Sequence, residues 1–172
     1  VDDLDEDLDT LAGYRSLLKG PDPEIAGFES QTAELAALAE RLDSYSPEEL
    51  QEVGIIARTN KALDAVEAAL DAKGIPVHRL RPRHPDDPSV AGVRLATAHR
   101  AKGLEFRDVH IVCVSDGVWP PAGMQEHLVD TAALRDAETR ERSLFHVAAT
   151  RAKARLFVTW GGEPGSVLKT AS

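Results

Sequence analysis

Three segments of this chain set charged or polar groups beside short apolar runs, the arrangement that phosphate chemistry requires. Val53–Asn60 (VGIIARTN) places Arg58 directly after a run apolar enough to be buried on both faces. Thr97–Phe106 (TAHRAKGLEF) gathers a hydroxyl, an imidazole, two cations, a glycine and a carboxylate after another apolar run. There the backbone N–H of Thr97 or Ala98 could meet a phosphate at a strand end. Gly103 permits close backbone approach, and Glu105 could accept from a ribose hydroxyl. Glu141–Thr159 (ERSLFHVAATRAKARLFVT) reads as a helix running into a strand, with Arg151 at the joint. A permanently charged arginine there suits phosphoryl transfer, where meeting the γ-phosphoryl charge is worth roughly 10³ to 10⁵ in rate.

Each segment has a plainer reading. Arg58 could be a strand-end arginine reaching solvent, and Arg151 a helix C-terminal cation answering the macrodipole. Cys113, in IVCVSD, is expected as a buried core thiol. Trp119 could stack on a nucleic-acid base, though a loop tryptophan capping the sheet is the better expectation. His110 alternates with apolar neighbours and reads as structural. None of the six histidines has metal-ligand spacing.

The elements that must position these residues alternate along the chain. Ile25–Phe28 reads as a short strand and Thr32–Leu42 as an amphipathic helix. Ser46-Pro47-Glu48-Glu49 carries helix-start signals. Strands are expected at Val53–Ala57, from Ile75, and at Val93–Ala98, Val109–Val114 and Leu156–Trp160. Helices are expected at Lys61–Lys73 and Asp130–Arg151. Such alternation predicts an α/β fold with a mostly parallel sheet flanked by helices, whose ligands sit at the carboxyl ends of strands. Arg58 and Thr97 lie at that edge. Arg151, ending a helix before a strand, is expected at the opposite one. The predicted organisation is an acidic arm or linker over 1–23, one domain over 24–165 and a tail over 166–172.

Composition narrows the classes. Hydrophobic residues make up 42% of the chain, enough for a globular core. No apolar run approaches the roughly 18 residues that span a bilayer. One cysteine excludes an intrachain disulfide framework and fits a reducing, cytoplasmic setting. The net charge of −9 is opposite to that of an autonomous nucleic-acid binder. Contact with DNA would therefore use a local patch, for which Arg79, Arg81, Arg83, Arg94, Arg100 and Lys102 are available. The sequence has no G-x-x-x-x-G-K-[ST] phosphate loop, no G-x-G-x-x-G fingerprint and no G-x-S-x-G elbow.

In this order and spacing, the three segments resemble motifs IV, V and VI of UvrD/Rep/PcrA-like superfamily 1 helicases: ARTN, TAHRAKGLEF and VAATRAK. GIPV, DGVWPP and the Tyr14-Arg15-Ser16 stretch extend the resemblance over nearly the whole chain. The resemblance implies a RecA-like (P-loop NTPase-type) second motor domain without a phosphate loop of its own. It assigns Arg58 and Arg151 to the γ-phosphate as catalytic arginines. Glu105, Gly103 and Thr97 go to the nucleotide, and His99, Arg100, Lys102 and Thr150 to single-stranded DNA or to coupling. The implied cofactors are ATP and Mg²⁺, shared with an N-terminal RecA-like motor domain that supplies the phosphate loop and the magnesium ligands. The isolated fragment is expected to be a monomer that does not hydrolyse ATP, with no membrane partner. Two departures stand out: Ala57 replaces the adenine-stacking aromatic, and Gly74–Val93 is too short for a large 2B insertion. The short stretch implies a shorter branch of the family, while Ala57 and the acidic charge leave open a non-catalytic nucleic-acid-binding or protein-interaction module on a degenerate helicase fold.

Overall fold

The computed structural model describes residues 22–124 and 130–169. The acidic start, the arm as far as residue 21, the Tyr14 stretch and the last three residues of the tail lie outside the described residues. In chain order the elements are β1 (Glu24–Phe28), α1 (Gln31–Asp43), α2 (Pro47–Gln51), β2 (Val53–Ala57), α3 (Asn60–Ala72) and β3 (Val77–Arg79). There follow β4 (Val93–Thr97), β5 (Phe106–Ile111), α4 (Thr131–Ala149) and β6 (Ala152–Gly161), then a 3-10 turn at Ser166–Leu168. The strands form one sheet in the order β1-β6-β5-β2-β4-β3, and every neighbouring pair is parallel.

Local chemistry explains the helix boundaries. Ser30, Ser46, Thr59 and Asp130 are the N-caps, each accepting from a backbone N–H three residues on. At Ser46 the reciprocal bond from Glu49 completes a capping box, with Pro47 in the first turn. Gly74, at φ +71, follows α3 in the left-handed region that stops a helix.

The sheet is covered on both faces, so β2 is buried along its whole length. Ile55 and Ala57 face α1 and α3 through Leu38, Leu42, Leu63 and Val66. Ile56 faces the other way, into a core with Ala98, Ala101, Trp119, Phe145 and Ala148. Val167 and Leu168, in the stretch read as a tail, pack into that second core. Gly54 is required beneath Phe106, because an added Cβ would lie 2.4 Å from the ring.

Two strands differ from the sequence reading. β5 begins at Phe106 and β6 at Ala152, each earlier than its apolar run. The polar residues inside them are matched in pairs. Asp108, 4% exposed, receives both Nε and Nη2 of Arg155, at 3.1 and 2.6 Å. His110 stacks on Phe157 at 4.3 Å between ring centroids. Trp119 is fully buried and meets Phe145 edge-on, which leaves no face for a base. Cys113 is the buried thiol expected. Its backbone N–H donates to the buried carboxylate of Glu34, and burial pushes the thiol up to about 12.

Candidate nucleotide and nucleic-acid site

The connection from β4 to β5 positions most of the candidate residues. Parallel strands of one sheet usually need a connection of a dozen or more residues. Here Ala98–Glu105 carries the chain from β4 past β2 to β5, because small residues let it lie directly on the sheet. Ala98 and Ala101 are completely buried. The crossover starts at the carboxyl edge, where Ala98 N–H donates to the Ala57 carbonyl. Thr97 accepts from Ala101 N–H through its carbonyl and from Arg100 N–H through its hydroxyl. It finishes at the amino edge, with Lys102, Gly103 and Glu105 exposed. Gly103 sits at φ +85, where a side chain would be strained although the space beside it is open.

Helix α4 runs over the same face, so Arg151 arrives beside the end of the crossover. Phe106 N–H donates to the Arg151 carbonyl at 2.9 Å. The Arg151 guanidinium donates from Nη1 to the Leu104 carbonyl, from Nε to the Val147 carbonyl and from Nη2 to the Thr150 hydroxyl, at 3.3, 3.1 and 3.0 Å. Thr150 in turn donates to the Val147 carbonyl at 2.8 Å. All three acceptors of Arg151 are neutral, and no carboxylate lies within ion-pair distance among the described residues. Its charge is positioned but uncompensated, the state suited to an incoming anion.

Arg58 is placed quite differently. It follows β2 at the carboxyl edge and makes a bidentate pair with Glu141 of α4, both contacts 2.8 Å. Glu141 lies ten residues before Arg151 in the sequence, about 15 Å along a helix axis. The structure therefore brings Gly103, Glu105, Thr150 and Arg151 together and sets Arg58 apart, at the middle of α4. The tension between the two arginines in the sequence reading is real: they stand at opposite edges of one parallel sheet. Glu141 is the residue that sequence reasoning missed. Its only signal was a carboxylate on a helix face otherwise turned to the core.

Thr97, His99, Arg100 and Lys102 form a second group, lining a groove of about 560 Å³ with Arg83 and His84. Arg79 and Arg94, counted in the sequence as part of a basic patch, do not line it. Arg79 is spent on Asp64 and Glu67, and Arg94 is buried against Asp86. No group of three or more histidine, cysteine, aspartate or glutamate side chains that could hold a metal ion occurs among the described residues. No helix there is long and apolar enough to cross a membrane.

Comparison with known proteins agrees with this architecture. Residues 79–163 match the family model of the UvrD-like helicase C-terminal domain. The ATP-dependent DNA helicase UvrD2 of Mycobacterium tuberculosis is 38% identical over 82 residues, covering 48% of this chain and 11% of that protein. The ATP-dependent DNA helicase PcrA of Leuconostoc citreum is 28% identical over 162 residues, covering 92% of this chain and 19% of that protein. The chain thus spans between a tenth and a fifth of these relatives. Among solved structures, the C-terminal domain of a possible DNA helicase from Lactobacillus plantarum WCFS1 shares the fold. Its TM-score is 0.64 at 20% identity, covering 95% of this chain and 89% of that one. Over residues 79–163 the chain thus matches the UvrD-like helicase C-terminal domains, on a RecA-like α/β fold.

Proposed function

We propose that this chain is the second motor domain of an ATP-dependent DNA helicase or translocase, completing an ATP site that another domain begins. The observation that carries the reading is Arg151. Its guanidinium is aimed by three neutral acceptors and neutralised by no acid, next to the exposed Gly103–Glu105 turn. Arg151 would meet the γ-phosphate, Gly103 would let backbone approach the nucleotide, and Glu105 would accept from the sugar. Thr150, bonded to Arg151, would hold the guanidinium in place. ATP supplies the phosphoryl group. The Mg²⁺ ligands and the phosphate loop would come from the N-terminal RecA-like domain, and this chain alone should not turn ATP over. Thr97, His99, Arg100 and Lys102, on the same crossover as Gly103 and Glu105, would contact single-stranded DNA and couple it to the nucleotide. Arg58 is proposed as a clamp on α4 in place of a second phosphate contact, because Glu141 already holds it bidentately.

One observation favours a second reading. With Arg58 occupied and Ala57 in place of an aromatic, the domain could be a non-catalytic module that kept the fold. DNA-stimulated ATP turnover by the full-length protein separates the two. Arg151→Ala should cost about three orders of magnitude with nucleotide binding largely kept, and unchanged turnover would bring the module reading forward.

A further inference from the structure

The loop between β3 and β4 is built as carefully as the crossover it faces. Arg100 of the crossover donates from Nε to the Arg81 carbonyl at 2.8 Å and from Nη2 to the His84 carbonyl at 2.7 Å. Arg94, 2% exposed, grips the other end of the loop through the Asp86 carboxylate and the carbonyls of Asp87 and Gly92. Two arginines thus fix an otherwise exposed turn as a shelf. Arg83, on that shelf, holds a φ of +63, a conformation residues with side chains rarely take.

The shelf and the crossover enclose the groove lined by Arg83, His84, Thr97, His99, Arg100 and Lys102. None of its lining residues is acidic. The acids that follow are turned elsewhere: Asp86 to Arg94 and His78, and Asp87 to Ser89. Arg100 spends its side-chain donors on carbonyls, so its positive charge is not cancelled. In a chain of net charge −9, an acid-free basic groove of this size is a local exception.

The geometry points to the Arg81–Pro85 shelf as the second wall of a groove for the phosphate backbone of a single-stranded nucleic acid, with Arg83 as a phosphate contact. This rests on the single-strand role proposed above for the Thr97–Lys102 crossover and adds the opposing wall. A groove lined by cations and free of acids suits a strand whose backbone it tracks. Thr97 and the histidines supply hydrogen-bonding groups among the cations, as backbone-tracking sites do.

The test is fluorescence anisotropy of a labelled oligothymidylate with the 172-residue chain over a salt series. Arg83→Ala should weaken binding about five- to tenfold and reduce the slope of log affinity against log salt by about 0.7. Lys102→Ala should weaken it similarly. Arg135→Ala, which removes an equal charge from an exposed position on α4, should change it less than twofold. Circular dichroism melts confirm that each variant is folded. If Lys102→Ala weakens binding while Arg83→Ala matches wild type, the shelf is not a wall and the crossover reading stands. If the wild-type chain fails to bind, both are overturned. If poly-glutamate competes as well as unlabelled oligothymidylate, the groove is a site for an acidic polypeptide and the nucleic-acid assignment fails.

Discussion

Breaking the Arg58–Glu141 pair should reveal how much of the domain's stability rests on one contact across 83 positions of sequence. The two side chains are 17% and 7% exposed, and both contacts are 2.8 Å. Unit charges about 4 Å apart at an effective dielectric near 20 attract by about 4 kcal/mol. Partial exposure of Arg58 trims this to a coupling of about 2–3 kcal/mol. Removing one partner alone leaves the other charge buried without compensation, which costs about 3–5 kcal/mol. Arg58→Ala and Glu141→Ala should therefore each lower the midpoint of thermal unfolding by about 6–20 °C for a domain of this size. The double variant should be little worse than either single one. Urea denaturation of the four proteins closes the cycle and yields the coupling energy. Additivity within about 0.5 kcal/mol would refute the reasoning, because two independent residues behave that way and a shared bidentate pair does not.

Two further outcomes follow from groups buried in the core. Burial, helped by the nearby Arg41 charge, pushes the His110 imidazole down to about 3 from an ordinary value of 6.5. The folded state therefore stays neutral where the unfolded chain takes up a proton. Stability should fall as pH drops from about 6.5 towards 3, by up to about 1.4 kcal/mol per pH unit from this group. Urea melts of wild type and His110→Phe, which keeps a ring against Phe157, should diverge in favour of the variant below pH 6.5 and run parallel above it. Parallel curves throughout would show that His110 is protonated in the fold. Cys113 should be inert to a maleimide at pH 8 in the native chain and react in seconds to minutes once unfolded in guanidinium, because burial holds its thiol near 12. Rapid labelling of the native state would contradict its placement.

Much of the fold was legible in the sequence because its strands are sandwiched between helices. VGIIA and VRLAT read as strands because both faces are covered. The Ser46-Pro47 signal marked a helix start that the structure keeps. The starts of β5 and β6 were not legible, since FRDVHI and AKAR carry charges that suggest solvent. Their burial depends on partners in other strands: Asp108 on Arg155, His110 on Phe157. A single sequence does not display such pairings, and the same is true of Arg58 with Glu141. The candidate site was legible as a set of residues and not as a geometry. The polar cluster in TAHRAKGLEF looks like one locus. The short crossover carries it from one sheet edge to the other, leaving Thr97 and Glu105 with different neighbours. The basic count between residues 79 and 102 was similarly ambiguous, because Arg79 and Arg94 serve the fold while Arg83, Arg100 and Lys102 face the groove.

The most direct test compares Arg151→Ala with Arg58→Ala in the full-length protein, measuring DNA-stimulated ATP turnover and nucleotide binding at a temperature where both variants are folded. Arg151→Ala should lose about three orders of magnitude in kcat with nucleotide affinity nearly intact. Arg58→Ala should lose far less, in step with its loss of stability. Equal, large losses in the two variants would contradict the account, since they would place both arginines on the phosphate. Full turnover by Arg151→Ala would contradict it outright.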